Sequence, residues 1–417
     1  MLHQGMPPFF RPPIRRTLLC AAFVLPLPAC PNAEDAPQWN TPSDDPLDYD
    51  VDTSLDYEIQ VSEPRWVVPS DALPDTLTPQ ASNNNVDITF FEDRLFMAWR
   101  TGPNHFASDQ TVMHVVSSTD MGVTWDEETE VFMGTDMREP RLLNFEGRLQ
   151  LLFFQAGTNF MAFEPVSLWR LWREEQGTWS DLEVVNEAGE VPWDVKVRQG
   201  KAYMTSYEGD HYSSDPDASI DLLFKESTDG ITWNKVNNKA YVYRGGVSEA
   251  AYEFDAGGNL WIVTRNEDGD DTGKGSHVCF APANDLSAWD CPDVCSKERY
   301  DSPEMFRHGN RIFLAARKDV GGPYGDDPSM ADYSARPKRF ALYEIDTENR
   351  EVVHLMDLPG VGDTAFPAIA RTGAHTFLLA NYTSPLDDPD VSWFTGQTSA
   401  RGTQIYLMDL TFKPITD

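Results

Sequence analysis

An all-β fold, a six-bladed β-propeller of four-stranded sheets, is the architecture this chain predicts over residues 81–417. Three observations predict it. Four tryptophans, Trp125, Trp179, Trp233 and Trp289, lie 54, 54 and 56 residues apart, and a repeat near 50 residues marks one supersecondary unit copied around an axis or along a solenoid. A second ladder runs in phase with the first. Its apolar strands end at Arg100, Phe154, Tyr207, Arg265, Arg317 and Asn381, each preceded by a shorter strand and a turn at Asp93, Gly147, Gly200, Gly258, Gly309 or Gly373. The strands are short and evenly spaced, and no amphipathic helical stretch interrupts them, which argues for six closed blades.

Residues 1–30 read as a secretory leader. Arg11, Arg15 and Arg16 precede an apolar run from Thr17 to Pro28, too short to span a bilayer. The run ends in Leu27-Pro28-Ala29-Cys30, which resembles a bacterial lipobox. That resemblance implies a diacylglyceryl group on Cys30 and a lipid-anchored protein of the bacterial envelope, outside the cytoplasm. An ordinary cleaved signal, with Cys30 incidental, gives a secreted protein instead. Residues 31–80 are rich in Pro, Asp and Ser and offer too little apolar surface to fold alone, so they read as a linker. Within them only Tyr57-Glu58-Ile59-Gln60-Val61 alternates like a strand that could add to a blade edge.

The tryptophan turns say β in their chemistry. The first is Ser118-Thr119-Asp120-Met121-Gly122-Val123-Thr124-Trp125 and the third Ser227-Thr228-Asp229-Gly230-Ile231-Thr232-Trp233. Asp bonds back to its own backbone, Gly takes a positive φ, and Trp packs the corner between strands. The second repeat keeps Gly177-Thr178-Trp179 and the fourth Asn284-Asp285 ahead of its Trp.

The net charge is −34, which opposes nucleic acid and anionic membrane surfaces as partners. The acidic run Asn266-Glu267-Asp268-Gly269-Asp270-Asp271 lacks the spaced ligands of an EF-hand loop and reads as solvated loop. Cys279, Cys291 and Cys295 are the cysteines beyond the leader, and an exported chain would join Cys279 to Cys291 or to Cys295. No histidine accompanies them at zinc spacing, so no metal site and no cofactor are called for.

In a propeller the innermost strands line one channel, so phased positions converge. The innermost strands contribute Asp87, Arg138-Glu139-Pro140-Arg141, Asp194, Glu249, Glu304 and Phe366, and the next strands end in Arg100, Tyr207, Arg265, Arg317 and Asn381. An unpaired buried charge costs several kcal/mol, so charges phased this way predict a polar funnel. Arg–carboxylate pairs tying blade to blade would give the same pattern.

The turn Ser-x-Asp-x-Gly-x-Thr-Trp is similar to the Asp-box of bacterial neuraminidase repeats, and the repeat region resembles the sialidase superfamily of six-bladed propellers. That resemblance implies an arginine triad gripping a sugar carboxylate, an Asp acid/base, and a Tyr nucleophile polarised by a Glu. Asp109 matches the acid/base by its place on the loop upstream of the first Asp-box. Glu249 followed by Arg265 matches the Glu and second arginine, and Arg317 the third; Arg100 joins the group that orients substrate. Two positions depart from the pattern. The first-arginine motif is replaced by Asn84-Asn85-Val86-Asp87, leaving Arg138 or Arg141 as the available clamp, and Phe366 stands where the Tyr belongs, so a tyrosine route needs Tyr207 or Tyr382. Asp87, Arg138, Arg141, Asp194, Tyr207, Glu304 and Asn381 are the remaining candidates for substrate contact.

The implied function is an exo-acting glycoside hydrolase, monomeric, working on an acidic or related sugar of extracellular glycans. A carbohydrate-binding propeller without turnover is the alternative, with Trp99, Trp193 and Tyr207 suited to stacking on sugar rings. A third reading takes Asp87, Asp194 and Glu249 as the carboxylate trio of an inverting glycosidase. His105, beside Asp109, could move a proton or simply bond backbone.

Overall fold

The computed structural model describes residues 41–415, apart from Met161, Glu187, Ser214, Pro216 and 323–329. Cys30 and the leader lie outside them. Six antiparallel sheets follow one another along the chain. Their innermost strands are Ser82–Phe91, Asp136–Phe145, Val191–Arg198, Ala250–Phe254, Asp301–His308 and Ala368–Arg371. Each pairs with the apolar strand that follows it, such as Arg94–Gly102 in blade one or Arg311–Asp319 in blade five. The hairpins between them are tight. Glu92-Asp93, Glu146-Gly147 and Gln199-Gly200 all have two successive positive φ angles, the twist that matches two right-twisted strands.

The tryptophan turns are held by side-chain acceptors. Asp120 Oδ1 accepts from the backbone N–H groups of Val123 and Thr124 at 3.0 and 2.8 Å, and Ser118 Oγ from that of Gly122 at 2.8 Å. Gly122 sits at φ +81°, and a Cβ there would meet Leu407 Cδ1 at 2.6 Å. In the third repeat Asp229 accepts from Ile231 and Thr232, and these two N–H groups hold its carboxyl well below the usual range. Trp125 is buried against strands of blades one and six.

Part of the segment read as a linker belongs to a blade. Tyr57–Val61 and Arg65–Val68 both pair with Gln404–Pro414, the last strand of the chain, and form the outer edge of blade six. The blades therefore take in residues from Tyr57 onward, well before 81. Pairing the two ends of the chain in one sheet closes the ring with backbone hydrogen bonds and covers an edge that would otherwise template self-association. Blade four has three strands, Ala250–Phe254, Leu260–Thr264 and Val278–Ala281. Beyond them lie the isolated bridge Phe280–Asp290 and the Cys279–Cys291 disulfide, so a covalent staple stands where other blades carry a fourth strand. Among the described residues Cys295 is the free thiol.

One irregularity recurs at the head of the inner strands. The pairing register skips between Asn84 and Asp87, Arg138 and Arg141, Pro192 and Asp194, and Asp301 and Glu304. Asn85, Glu139 and Ser302, inside three of these bulges, have φ near +50°. A bulge turns one side chain away from the ladder's alternation, and here it divides the channel into two tiers.

A chain shortened to begin at residue 81 loses the outer strand of blade six. It is expected to unfold several degrees below one beginning at residue 41 and to self-associate through Gln404–Pro414. Differential scanning calorimetry and light scattering check this; equal midpoints and equal masses would show that the strand is dispensable.

Candidate active site

The upper tier opens into a cavity of about 360 Å³. The bulged Asn85, Glu139 and Ser302 line it, together with Arg138, Glu249, Arg265, Arg317, Tyr207 and His105, over a floor that includes Phe366. Glu249, one residue ahead of its inner strand, places Oε1 2.9 Å from Arg265 Nη1, and its Oε2 accepts from the Ser302 N–H at 2.8 Å. Arg265 continues to Glu267 at 3.0 Å and to Ser248 Oγ at 3.0 Å. Glu267 in turn binds Arg299, whose Nε is 2.9 Å from Asp301 Oδ1, and Asp301 lies 3.7 Å from Arg317 Nη1. Charges thus alternate from blade four into blade five, and every side chain in the series is at most 8% exposed. Glu267 belongs to the run read as solvated loop. It is buried because Arg265 and Arg299 converge on it.

A second series holds Arg138. Arg100 donates from Nε and Nη2 to Asp136 Oδ1 at 2.9 and 2.8 Å, and Asp136 Oδ2 accepts from Arg138 Nε at 2.5 Å. Arg138 Nη2 donates to the His105 carbonyl at 2.8 Å. Its Nη1 makes no hydrogen bond among the described residues.

Two carboxyls that face this space have raised pKa values. Glu139, at φ 55° and with Oε2 unpartnered, has its pKa pushed up to about 8 by burial and then by nearby Glu249. Burial raises Glu249 to about 7 against the pull of Arg265. A long acidic side chain held at positive φ is backbone strain of the kind that collects at functional sites.

Of the sequence-predicted residues, Glu249, Arg265, Arg317, Arg138 and Tyr207 meet around the cavity. The others are placed differently. Asp109 is exposed and does not line the cavity; its loop presents His105 there instead. Arg100 is fully buried behind Asp136, so it positions Arg138 and cannot orient a substrate itself. Asn381 is buried, its Oδ1 accepting from the Phe366 N–H at 3.2 Å, and it supports the floor from beneath.

Asp87, Arg141, Asp194 and Glu304 lie in the lower tier, around a separate cavity of about 560 Å³ whose wall includes Pro42 and Asp44. There the carboxylates tie blades together. Asp87 accepts from the Leu142 N–H at 2.5 Å, Asp194 from the Tyr252 N–H at 3.0 Å, and Lys196 bridges Asp194 and Glu304 at 2.5 and 3.0 Å. Arg141 stacks 4.5 Å from the Phe366 ring centroid, and Trp193 meets the same ring at 5.1 Å. With Asp87 and Asp194 in the lower tier and Glu249 in the upper, the inverting carboxylate trio is not assembled. Sequence reasoning also left Glu139, Glu267 and Asp363 without roles. Only Glu139, beside Arg138 on an inner strand, carried a signal that could have found it.

The fold and the cavity define a propeller with a charged funnel at one mouth of its channel. No protein-family model matches the chain, and no curated protein matches it. Among solved structures it is similar to a protein of unknown function from Dyadobacter fermentans, at 14% identity and TM-score 0.56, over 85% of this chain and 99% of that one. It is also similar to a Hadza microbial sialidase, at 12% identity and TM-score 0.51, over 80% of this chain and 66% of that one. A third likeness is to the phage phi92 endosialidase, at 10% identity and TM-score 0.50, over 87% of this chain and 70% of that one. At such identities the likeness is one of fold: this is a sialidase-like six-bladed propeller.

Glu139 also sets a pH dependence. Its folded pKa of about 8 stands above the ordinary 4.5, so between those values the unfolded chain gives up a proton that the folded protein keeps. Its contribution to stability is complete below about pH 4.5 and is lost as pH rises through 8. Glu139→Gln is therefore expected to raise the melting temperature at pH 8.5 by at least about 2 °C and to leave it unchanged at pH 4, as read by calorimetry at both values.

Proposed function

We propose that the protein is an exported, lipid-anchored glycoside hydrolase that removes a terminal acidic or related sugar from extracellular glycans. One observation carries this: Glu139 and Glu249 share a cavity with Arg138, Arg265 and Arg317. Guanidinium forks suit a sugar carboxylate, and Arg138 keeps a free donor for one. Glu139, neutral at pH 7, is a proton donor for the departing glycosidic oxygen, while Glu249 beside it opposes the positive charge that develops on the sugar ring. The floor carries Phe366, which cannot attack an anomeric carbon, and burial keeps the phenols of Tyr207 and Tyr382, which also line the cavity, in their un-ionised form, so the reaction proposed is a single displacement by water.

Two of the similar folds are a sialidase and an endosialidase, which supports a glycan as the ligand. The Cys279–Cys291 disulfide supports an oxidising compartment, in keeping with the leader that ends at Cys30. The aromatic rim favours the alternative of binding without turnover. Phe106, Phe160 and Phe394 cluster at the mouth, with Phe160 and Phe394 44% and 53% exposed, as a platform for sugar rings.

Release of reducing sugar from acidic glycans and aryl glycosides tests the reading. Glu139→Gln is expected to lower kcat about 10²–10⁴-fold with KM nearly unchanged, and Arg138→Lys, which keeps the charge and loses the fork, to raise KM. Saturable binding of an acidic glycan with no turnover would make the protein a lectin-like propeller.

A further inference from the structure

The loop that was expected to bring Asp109 to the site brings a histidine instead, and the opposite end of the chain supplies its partner. Asp363, in blade six, places Oδ2 2.9 Å from His105 Nδ1, across 258 residues of sequence. Asp363 is fully buried, and its Oδ1 accepts from the Tyr382 hydroxyl at 3.1 Å. The backbone of His105 is pinned on both sides: its N–H donates to the Gln397 carbonyl at 3.2 Å, and its carbonyl accepts from Arg138.

Asn84 Nδ2 stands 3.3 Å from the same ring nitrogen. The carboxylate is nearer and can only accept, so Nδ1 carries the proton and Nε2 the lone pair. The His105 side chain is 16% exposed and lines the cavity, and Nε2 makes no hydrogen bond among the described residues. We infer that His105 is the general base of this cavity and Asp363 the positioning residue that fixes its tautomer. The inference rests on the hydrolytic reading above and supplies the partner that Glu139 needs.

The step balances with water as co-reactant. As the water oxygen bonds to the anomeric carbon, one of its protons passes to His105 Nε2. The glycosidic C–O bond breaks on the far side of that carbon, its electron pair goes to the departing oxygen, and that oxygen takes the proton of Glu139. Imidazolium paired with Asp363, and Glu139 as carboxylate, return to their starting states by exchange with solvent. The groups facing the imidazole suit the role. Burial holds its pKa below the ordinary value, opposed by Asp363 and reinforced by Arg138 and Arg100, so the resting ring is neutral, and Asp363 meets the charge once it forms.

The alternative is a clasp that merely joins blades one and six, and the test separates the two. Long-range ¹⁵N–¹H spectra of the full chain are expected to show His105 as the Nδ1–H tautomer and to lose that tautomer's dominance in Asp363→Asn. On a glycoside that the wild type cleaves, His105→Ala is expected to lower kcat at least about 10²-fold with KM within about threefold. Added azide, attacking in place of activated water, is expected to restore release of the aglycone in His105→Ala, with the sugar leaving as its glycosyl azide, and not in Glu139→Gln. A His105→Ala protein that keeps kcat while Glu139→Gln loses it overturns the base assignment and leaves the hydrolytic reading standing. A lowered melting temperature without azide rescue or any change in the pH–rate profile makes the pair a clasp. Absence of turnover in the wild type removes both readings.

Discussion

A bulge near the head of the inner strands governs what the channel can do. In a regular strand alternate residues face the same side, so the neighbours Arg138 and Glu139 could not both line one cavity. With the register skipping at the same place in four of the six blades, the bulged side chains turn to the upper mouth and the residues after them face the lower end. A floor of Phe366 with Trp193 stands between. The separation matters because the carboxylates of the two tiers, crowded at one level, would repel at low dielectric. Apart, each set finds its own counter-ions.

The two tiers then differ in what their charges do. In the lower tier the carboxylates of Asp87 and Asp194 end on backbone N–H groups of the next blade. In the upper tier Glu249, Arg265, Glu267, Arg299, Asp301 and Arg317 form an alternating series from blade four to blade five. Buried ion pairs contribute little net stability, because desolvation offsets attraction, yet removing one member leaves an unpaired charge at a cost of about 3–5 kcal/mol. Such a series therefore serves geometry more than stability. It holds Arg265 and Arg317 at the cavity wall, while Glu139, which forms no ion pair with a guanidinium among the described residues, keeps a raised pKa. Arg100 and Asp136 do the same for Arg138 from the other side.

Shared fold and shared chemistry separate here. A six-bladed scaffold accepts many sites, and the likeness to the Hadza sialidase and the phage endosialidase is one of scaffold at 12% and 10% identity. The positions that would carry a tyrosine nucleophile and a first arginine hold Phe366 and the segment Asn84–Asp87. In this chain Glu139, Arg138 and His105 line one cavity, with Asp363 buried behind the histidine. A fold-level transfer of residue roles alone would have retained Asp109 and overlooked Glu139 and Asp363.

The sequence by itself determined the architecture. Repeat spacing, turn residues and apolar strands are local in origin, so the number of blades, the order of strands and the phasing of Glu249, Arg265 and Arg317 onto one channel were legible without coordinates. It could also narrow the disulfide to two pairings. The height of each residue along the channel was decided only by the tertiary structure. A one-residue bulge leaves no compositional trace, yet it sends Glu139 up and Arg141 down. The strand Tyr57–Val61 found its blade only when Gln404–Pro414, nearly the whole chain away, offered an edge. His105 found Asp363 for the same reason: ring closure brings the first and last blades together, and contacts across 258 residues are set by that closure and not by any local pattern.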